Sequence, residues 1–286
     1  MRYEAPSSLD QAVALLAKES GEVRVLAGGT DLLVQMRTDL VDPALVVDIK
    51  GIAELRQIKE EAGGFRVGAA VTGAELKEHP KLKTVWPGVV EAANLIGSTQ
   101  IQGRATMGGN LCNGSPAADS VPALIAASAK ASVVGPKGRR DIAVEDVMLA
   151  PRKLSLDKGE IVASFLLPAK PARTGEAYLR FIPRTEMDIA VVGVGVCLTL
   201  DAKGTCTAAR VSLGAVAPRP LLVAPAAAAL IGSKVDAAAL QKLDAAARSA
   251  CQPIDDKRGT KEYRIKVAGV LARRAAQIAL ERARKG

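Results

Sequence analysis

Val25-Leu26-Ala27-Gly28-Gly29-Thr30-Asp31-Leu32 sets a glycine pair between an apolar strand signal, Val23–Leu26, and a helix running towards Arg37 that Thr30 or Asp31 would cap. Adjacent glycines let the backbone approach a ligand and aim successive N–H groups at one point. A helix N-terminus adds partial positive charge, so a phosphate suits the position. Spacing alone leaves a second reading open, a tight strand–helix turn without a ligand, because the motif is neither GxGxxG nor a P-loop. A later stretch repeats the device: Ala105-Thr106-Met107-Gly108-Gly109-Asn110-Leu111-Cys112-Asn113-Gly114-Ser115-Pro116-Ala117-Ala118-Asp119. Hydroxyl and amide side chains flank this pair, and Asp119 offers a carboxylate of the kind that accepts from sugar hydroxyls. Two phosphate nests and a polyol acceptor point to a dinucleotide held outside a Rossmann fold.

The elements around these motifs follow from periodicity. Ser8 caps a helix over Gln11–Glu19, and Leu45–Ile49 is a strand, so residues up to about 50 read as a small βαβ unit. Phe65–Ala69 is a strand, Thr72 and Glu75 stand at capping-box spacing, and Val85–Leu95 is helical. Gly97–Ser120 reads as a long loop, a class that is usually functional or disordered. An Ala-rich helix near Val121–Ala129 and strands at Ala131–Val134 and Ile161–Leu167 follow. Pro168–Gly175, with two prolines, is the linker candidate. Beyond it, Tyr178–Phe181, Ile189–Leu200 and Cys206–Val216 predict three strands, with Asp201–Gly204 as a turn. Pro225–Ile231, Asp236–Ala250 and Tyr263–Arg284 predict helices, giving an α+β arrangement.

Composition narrows the classes. A chain of 286 residues predicts two domains, and 49% hydrophobic with 24% charged residues excludes a disordered chain. The net charge of +9 would suit an anionic partner, but aromatics are 2% and none clusters with the basic residues, so nucleic acid is excluded as the partner. None of the four cysteines forms a CxxC pair, so no zinc or iron–sulfur site is expected in this chain, and free thiols are. The longest apolar run, Ile189–Leu200, has 12 residues where a membrane span needs about 20. With no apolar signal region at the N-terminus, a soluble cytoplasmic chain is expected. His79, the single histidine, reads as an exposed turn residue in Glu78-His79-Pro80.

AGGTDLL at 27–33 and TMGGNLCNGSPAADSVPAL at 106–124 resemble the FAD-binding medium subunit of the molybdenum hydroxylases, the family of carbon monoxide dehydrogenase, xanthine dehydrogenase and aldehyde oxidase. Pro6-Ser7-Ser8-Leu9-Asp10, Val46-Val47-Asp48-Ile49, Glu160-Ile161-Val162 and Arg184-Thr185-Glu186-Met187-Asp188-Ile189-Ala190 are similar too, in order along the whole chain. The resemblance implies a two-subdomain FAD-binding fold of the vanillyl-alcohol-oxidase/PCMH type over 1–170, with subdomains of about 1–55 and 56–170. A C-terminal domain over 175–286, a three-stranded antiparallel sheet with helices, would follow.

By the same resemblance, Val25, Leu26, Ala27, Gly28, Gly29, Thr30, Asp31 and Leu32 would hold the FAD pyrophosphate from one side. Thr106, Met107, Gly108, Gly109 and Asn110 would hold it from the other, and Asp119 would bond ribityl or ribose hydroxyls. Ile96 and Val162 would give apolar contacts, and Arg180 would stand where the family often has a lysine near the flavin; read by itself, Arg180 is a solvated strand residue. Ile189 matches a position beside the flavin ring but reads as core, and Cys112 lies inside the second motif but reads as a small buried apolar residue.

The resemblance further implies that the chain carries no catalytic or metal-binding residue. Its FAD would take electrons from a small partner subunit with two [2Fe–2S] clusters, which is fed by a large molybdopterin-binding subunit, and would pass them to a final acceptor. The assembly would be a dimer of heterotrimers. The lack of an insertion with close cysteines argues against the benzoyl-CoA-reducing branch. Residues 251–286, net +6, offer a docking face or a solvated helix surface. The alternative is a self-sufficient FAD-dependent oxidase or reductase of the same fold. It would need its own substrate pocket with a general base, for which a C-terminal domain with no histidine is a poor host. A non-enzymatic nucleotide-binding scaffold would suit the basic tail but leaves one of the two glycine motifs unexplained.

Overall fold

The computed structural model describes residues 1–286. The chain opens with a three-stranded parallel sheet in the order Arg2–Glu4, Leu45–Asp48, Val23–Leu26. Helix Leu9–Lys18 starts at Ser8, whose hydroxyl accepts from the Gln11 amide at 3.3 Å. It buries Leu9, Val13 and Leu16 against Leu45 and Val47 of the sheet. The predicted βαβ unit is Val23–Leu26, helix Leu32–Arg37 and Leu45–Asp48. Its third strand, Arg2–Glu4, is too short to show a period.

The next unit is a five-stranded antiparallel sheet, in the order Ile58–Glu61, Gly64–Gly68, Ile161–Leu167, Lys130–Gly135, Gly138–Ala143. Its inner strands are the ones predicted. The two edge strands escaped prediction because they read IKEE and GRRDIA, and charge on an edge strand hides the alternation while it discourages pairing with other chains. Phe65, Val67 and Phe165 of the sheet form one core with Leu76, Trp86, Leu111 and Leu124 from the helices. Thr72 and Glu75 form the predicted capping box.

Two expectations need correction here. Gly97–Ser120 is not a loop throughout: it folds into the short helices Thr99–Gln102 and Met107–Cys112, each too brief to show a helical period. His79 is a half-buried helix cap and not an exposed turn residue. Its Nδ1 accepts from the Leu82 amide at 3.1 Å, and its ring meets Phe65 edge-on at 6.1 Å.

Beyond the proline-rich connection lies an antiparallel sheet of Thr174–Phe181, Val192–Leu200, Cys206–Gly214 and Leu221–Leu222. The three predicted strands are present, but the sheet has four, corrected by a two-residue edge strand below the reach of pattern reading. Ile189 precedes its strand and is 52% exposed, so the core reading of that residue fails. Helix Lys261–Lys285 packs on the first two strands through buried Ala268, Ala272, Ala275, Ala276, Ala279 and Ala283. The approach is so close that a Cβ on Gly175 would stand 2.0 Å from the Ala279 carbonyl oxygen.

Buried and half-buried polar contacts tie this domain to the five-stranded unit. The Gly88 amide donates to Glu176 Oε1 at 2.8 Å, and Arg210 pairs with Glu145 at 2.7 Å. No helix is long and apolar enough to cross a membrane.

Candidate functional site

The two glycine motifs meet across a cleft between the parallel sheet and the five-stranded sheet. Gly28 is required by that meeting: a Cβ there would stand 2.0 Å from the Arg104 carbonyl oxygen, and Arg104 Nε donates to the Gly28 carbonyl at 3.3 Å. Gly29 adopts φ +79°, in the left-handed region. Gly108 lies against Ala69, where a Cβ would be 2.5 Å from the carbonyl oxygen. Gly109 differs. An added Cβ there would meet Thr106 Oγ1 at 3.1 Å and Ala27 Cβ at 3.9 Å, which puts it in the gap between the motifs.

The amides of Gly28, Gly29, Thr30 and Asp31 find no acceptor within the chain, and neither do those of Met107 and Gly108. Two sets of unpartnered N–H groups therefore border one gap, each at the start of a helix. That is the arrangement that receives an anion. Thr106 organises the second set, its hydroxyl accepting from the Gly109 amide at 2.9 Å. Asn110 Oδ1 accepts from the amide and hydroxyl of Ser120 at 3.0 and 2.7 Å, which fixes the second motif to helix Ser120–Ala126.

Of the residues predicted from sequence, Val25, Ala27, Gly28, Gly29, Thr30, Asp31, Leu32, Ile96, Thr106, Gly108, Gly109, Asn110 and Val162 line this cleft. Leu26 and Met107 do not: both are buried, 7% and 2% exposed, Met107 in the core of the five-stranded unit and Leu26 beside Gly29. Asp119 and Arg180 do not line it either. They form a buried pair, Arg180 Nη1 to Asp119 Oδ2 at 2.8 Å, while Tyr178 donates its hydroxyl to Asp119 Oδ1 at 3.0 Å. Both carboxylate oxygens of Asp119 are thus engaged by the chain itself, and Arg180, with a 5% exposed side chain, is not a solvated strand residue. Burial pushes the Asp119 carboxyl up to about 6, against the pull of Arg180 and Tyr178. Cys112 is corrected as well: it is exposed and lines the cleft.

Sequence reasoning missed several lining residues. Gln35 and Asn113 join the two motif helices by an amide–amide hydrogen bond of 2.8 Å. Leu154, Leu156 and Ile161 extend the apolar wall beside Val162. The Leu154-Ser155-Leu156 alternation was the available signal for that wall. Arg152 also lines the cleft, with nothing in the local pattern to single it out.

Comparison with known proteins places these features. The profile of the family described as the FAD binding domain in molybdopterin dehydrogenase matches residues 1–170. That of the CO dehydrogenase flavoprotein C-terminal domain matches residues 177–279. The carbon monoxide dehydrogenase medium chain of Afipia carboxidovorans is 35% identical over 282 residues, covering 99% of this chain and 97% of that protein. The xanthine dehydrogenase FAD-binding subunit of Escherichia coli O157:H7 is 32% identical over 268 residues, covering 92% of this chain and 90% of that protein. Among solved structures, the reconstituted CO dehydrogenase from Oligotropha carboxidovorans superposes with a TM-score of 0.94 at 35% identity, covering 99% of this chain and 98% of that one. The chain thus belongs to the family of FAD-binding medium subunits of CO dehydrogenase- and xanthine dehydrogenase-type oxidoreductases.

Proposed function

We propose that this chain is the electron-transfer subunit of a molybdenum hydroxylase in the cytoplasm, taking electrons from [2Fe–2S] clusters of a small partner subunit and passing them to a final acceptor. A large molybdopterin-binding subunit completes the complex, as a dimer of heterotrimers. The observation that carries the reading is the pair of glycine nests facing one another across a single cleft, with unpartnered amides on both sides. Such amides suit a diphosphate, and the gap at Gly109, which a Cβ would occupy, suits close backbone approach. The residues present therefore fit FAD.

FAD supplies the capacity to accept electrons singly and release them as a pair. The chain's part is to bind and orient it. Gly28 to Leu32 and Thr106 to Asn110 hold the diphosphate, while Ile96 and Val162 wall the apolar reach of the cleft. Asp119 and Arg180 brace the second motif from behind through their mutual bond and Tyr178. Residues 1–170 form the cofactor domain, split near residue 55, and 175–286 the C-terminal domain.

The test is to release the cofactor by acid or heat, and to follow flavin absorbance in the lone chain and in a co-expressed three-chain complex. FAD in the supernatant, a flavin reducible by dithionite and substrate-driven flavin reduction only in the complex are expected. A chain that holds no FAD refutes the site. A lone chain that turns over a natural substrate makes it a self-sufficient flavoenzyme.

A further inference from the structure

Arg152 stands in a two-residue turn, Pro151-Arg152, that joins the paired strands Met148–Ala150 and Lys153–Leu154. Its φ is +61°, in the left-handed region that turns usually give to Gly or Asn. For an arginine this backbone is unfavourable and persists only where the surroundings fix it. The surroundings here are the end of the second glycine motif. The Arg152 amide donates to the Gly114 carbonyl at 2.9 Å, and a Cβ on Gly114, itself at φ +64°, would stand 2.8 Å from Arg152 Cα. The turn is thus clamped to Gly114, just past the C-terminal end of helix Met107–Cys112, whose first turn carries Gly108 and Gly109.

Charge supplies the second observation. Arg24, another cation lining the cleft, pairs with Glu22 at 2.5 Å. Glu160 is held by Arg140 through two nitrogens at 2.6 and 2.7 Å. The Arg152 guanidinium has no ion pair or hydrogen bond within the chain, and the residue lines the cleft, exposed. Asp31, exposed at the first nest, adds a negative charge that would oppose an incoming dianion. Arg152 brings a positive charge to the same cleft.

We propose that Arg152 is a cofactor-binding residue whose guanidinium neutralises the diphosphate of the bound dinucleotide. The inference rests on the FAD reading above and adds to it the cation that amide nests alone do not provide. A guanidinium is the donor that meets phosphate oxygens in a fork.

The test uses the full chain stripped of flavin, with FAD and riboflavin as probes. Arg152→Gly and Arg152→Asn both tolerate φ +61°, so they remove the guanidinium and keep the turn; Arg152→Lys keeps the charge. Both neutral variants are expected to raise the Kd for FAD about 10- to 100-fold, the effect of losing a charge-assisted contact. Their Kd should depend less steeply on salt than the wild type's, and Arg152→Lys should recover part of the affinity. Riboflavin, which has no phosphate, should bind all forms alike. Wild type that binds FAD with variants that bind it equally well overturns the role of Arg152 and leaves the FAD reading intact. A matching loss of riboflavin affinity overturns the diphosphate assignment. Wild type that binds no FAD overturns the reading beneath both.

Discussion

Gly28 rests against Arg104: the position of its missing Cβ lies 2.0 Å from the Arg104 carbonyl oxygen. The first nest is therefore seated directly on the strand of backbone that leads into the second, and the width of the cleft between them is set by a contact that tolerates no side chain. Gly28 and Gly109 look alike in sequence but do different work. Gly28→Ala is expected to destabilise the chain by about 1–3 kcal/mol or more, the cost of overpacking against backbone, and to lose flavin as a consequence. Gly109→Ala is crowded only by Thr106 Oγ1, at 3.1 Å, a side chain that has to give by a few tenths of an ångström. It sits in a helix, where alanine is favoured, so its unfolding midpoint should change far less than that of Gly28→Ala while flavin occupancy falls. Denaturant unfolding beside flavin stoichiometry checks both; equal stability losses would show that Gly109 is also a packing glycine.

Asp119 and Arg180 bind each other in a place from which water is almost excluded. Removing one partner leaves a buried charge uncompensated, at about 3–5 kcal/mol, whereas replacing both with apolar residues is close to neutral. Asp119→Leu and Arg180→Leu should each lower stability by that order, and the double variant should recover much of it. Thermal unfolding of the three variants measures the coupling. Additive losses would mean that each residue is held by other contacts.

The alternation of apolar residues and the glycine pairs made two of the three strands of the parallel sheet, the inner strands of the second sheet and both nests legible in sequence. What escaped has physical causes. Edge strands such as Gly138–Ala143 carry charge where a pattern reader expects alternation, and strands of two or three residues are shorter than any period. Asp119 was legible as a polar residue in the right motif. Its partners come from a strand about 60 positions on, and nothing local announces that Tyr178 and Arg180 turn inward to meet it. Arg152 and Gln35 enter the cleft only through tertiary folding, since each belongs to a segment whose own pattern is that of an ordinary turn or helix face.

Gln35 and Asn113 bridge the helices that follow the two nests, 2.8 Å apart and 78 positions distant in sequence. Their hydrogen bond fixes the mutual spacing of the two nests, which the proposed diphosphate site requires. Gln35→Leu removes it without touching either glycine pair. The expected result is a chain within about 1 kcal/mol of wild-type stability, the size of one half-exposed hydrogen bond, with a faster flavin off-rate. Stopped-flow release of FAD into excess competitor measures this, and an unchanged off-rate would assign the bridge to packing alone.

Glu176 predicts how stability responds to pH. Its side chain is buried at the junction of the domains, 3% exposed, and accepts from the Gly88 amide. Burial pushes its carboxyl up to about 7, although Lys170 and the Gly88 amide pull the other way. A carboxyl raised in the folded state is protonated there at pH values where the unfolded chain has already ionised. Its contribution to stability is complete below about 4, and it is lost as pH rises through about 7. Asp119, raised to about 6, acts in the same direction over an overlapping range. The unfolding temperature should therefore fall between pH 5 and pH 8 at constant flavin loading. Glu176→Gln keeps an acceptor for the Gly88 amide but cannot ionise, so it should flatten much of that fall and be the more stable form at pH 8. If the variant is instead the weaker form at pH 8 and equal to wild type at pH 5, Glu176 works as an ionised partner of Lys170, and the junction is held by charge where burial is argued to oppose it.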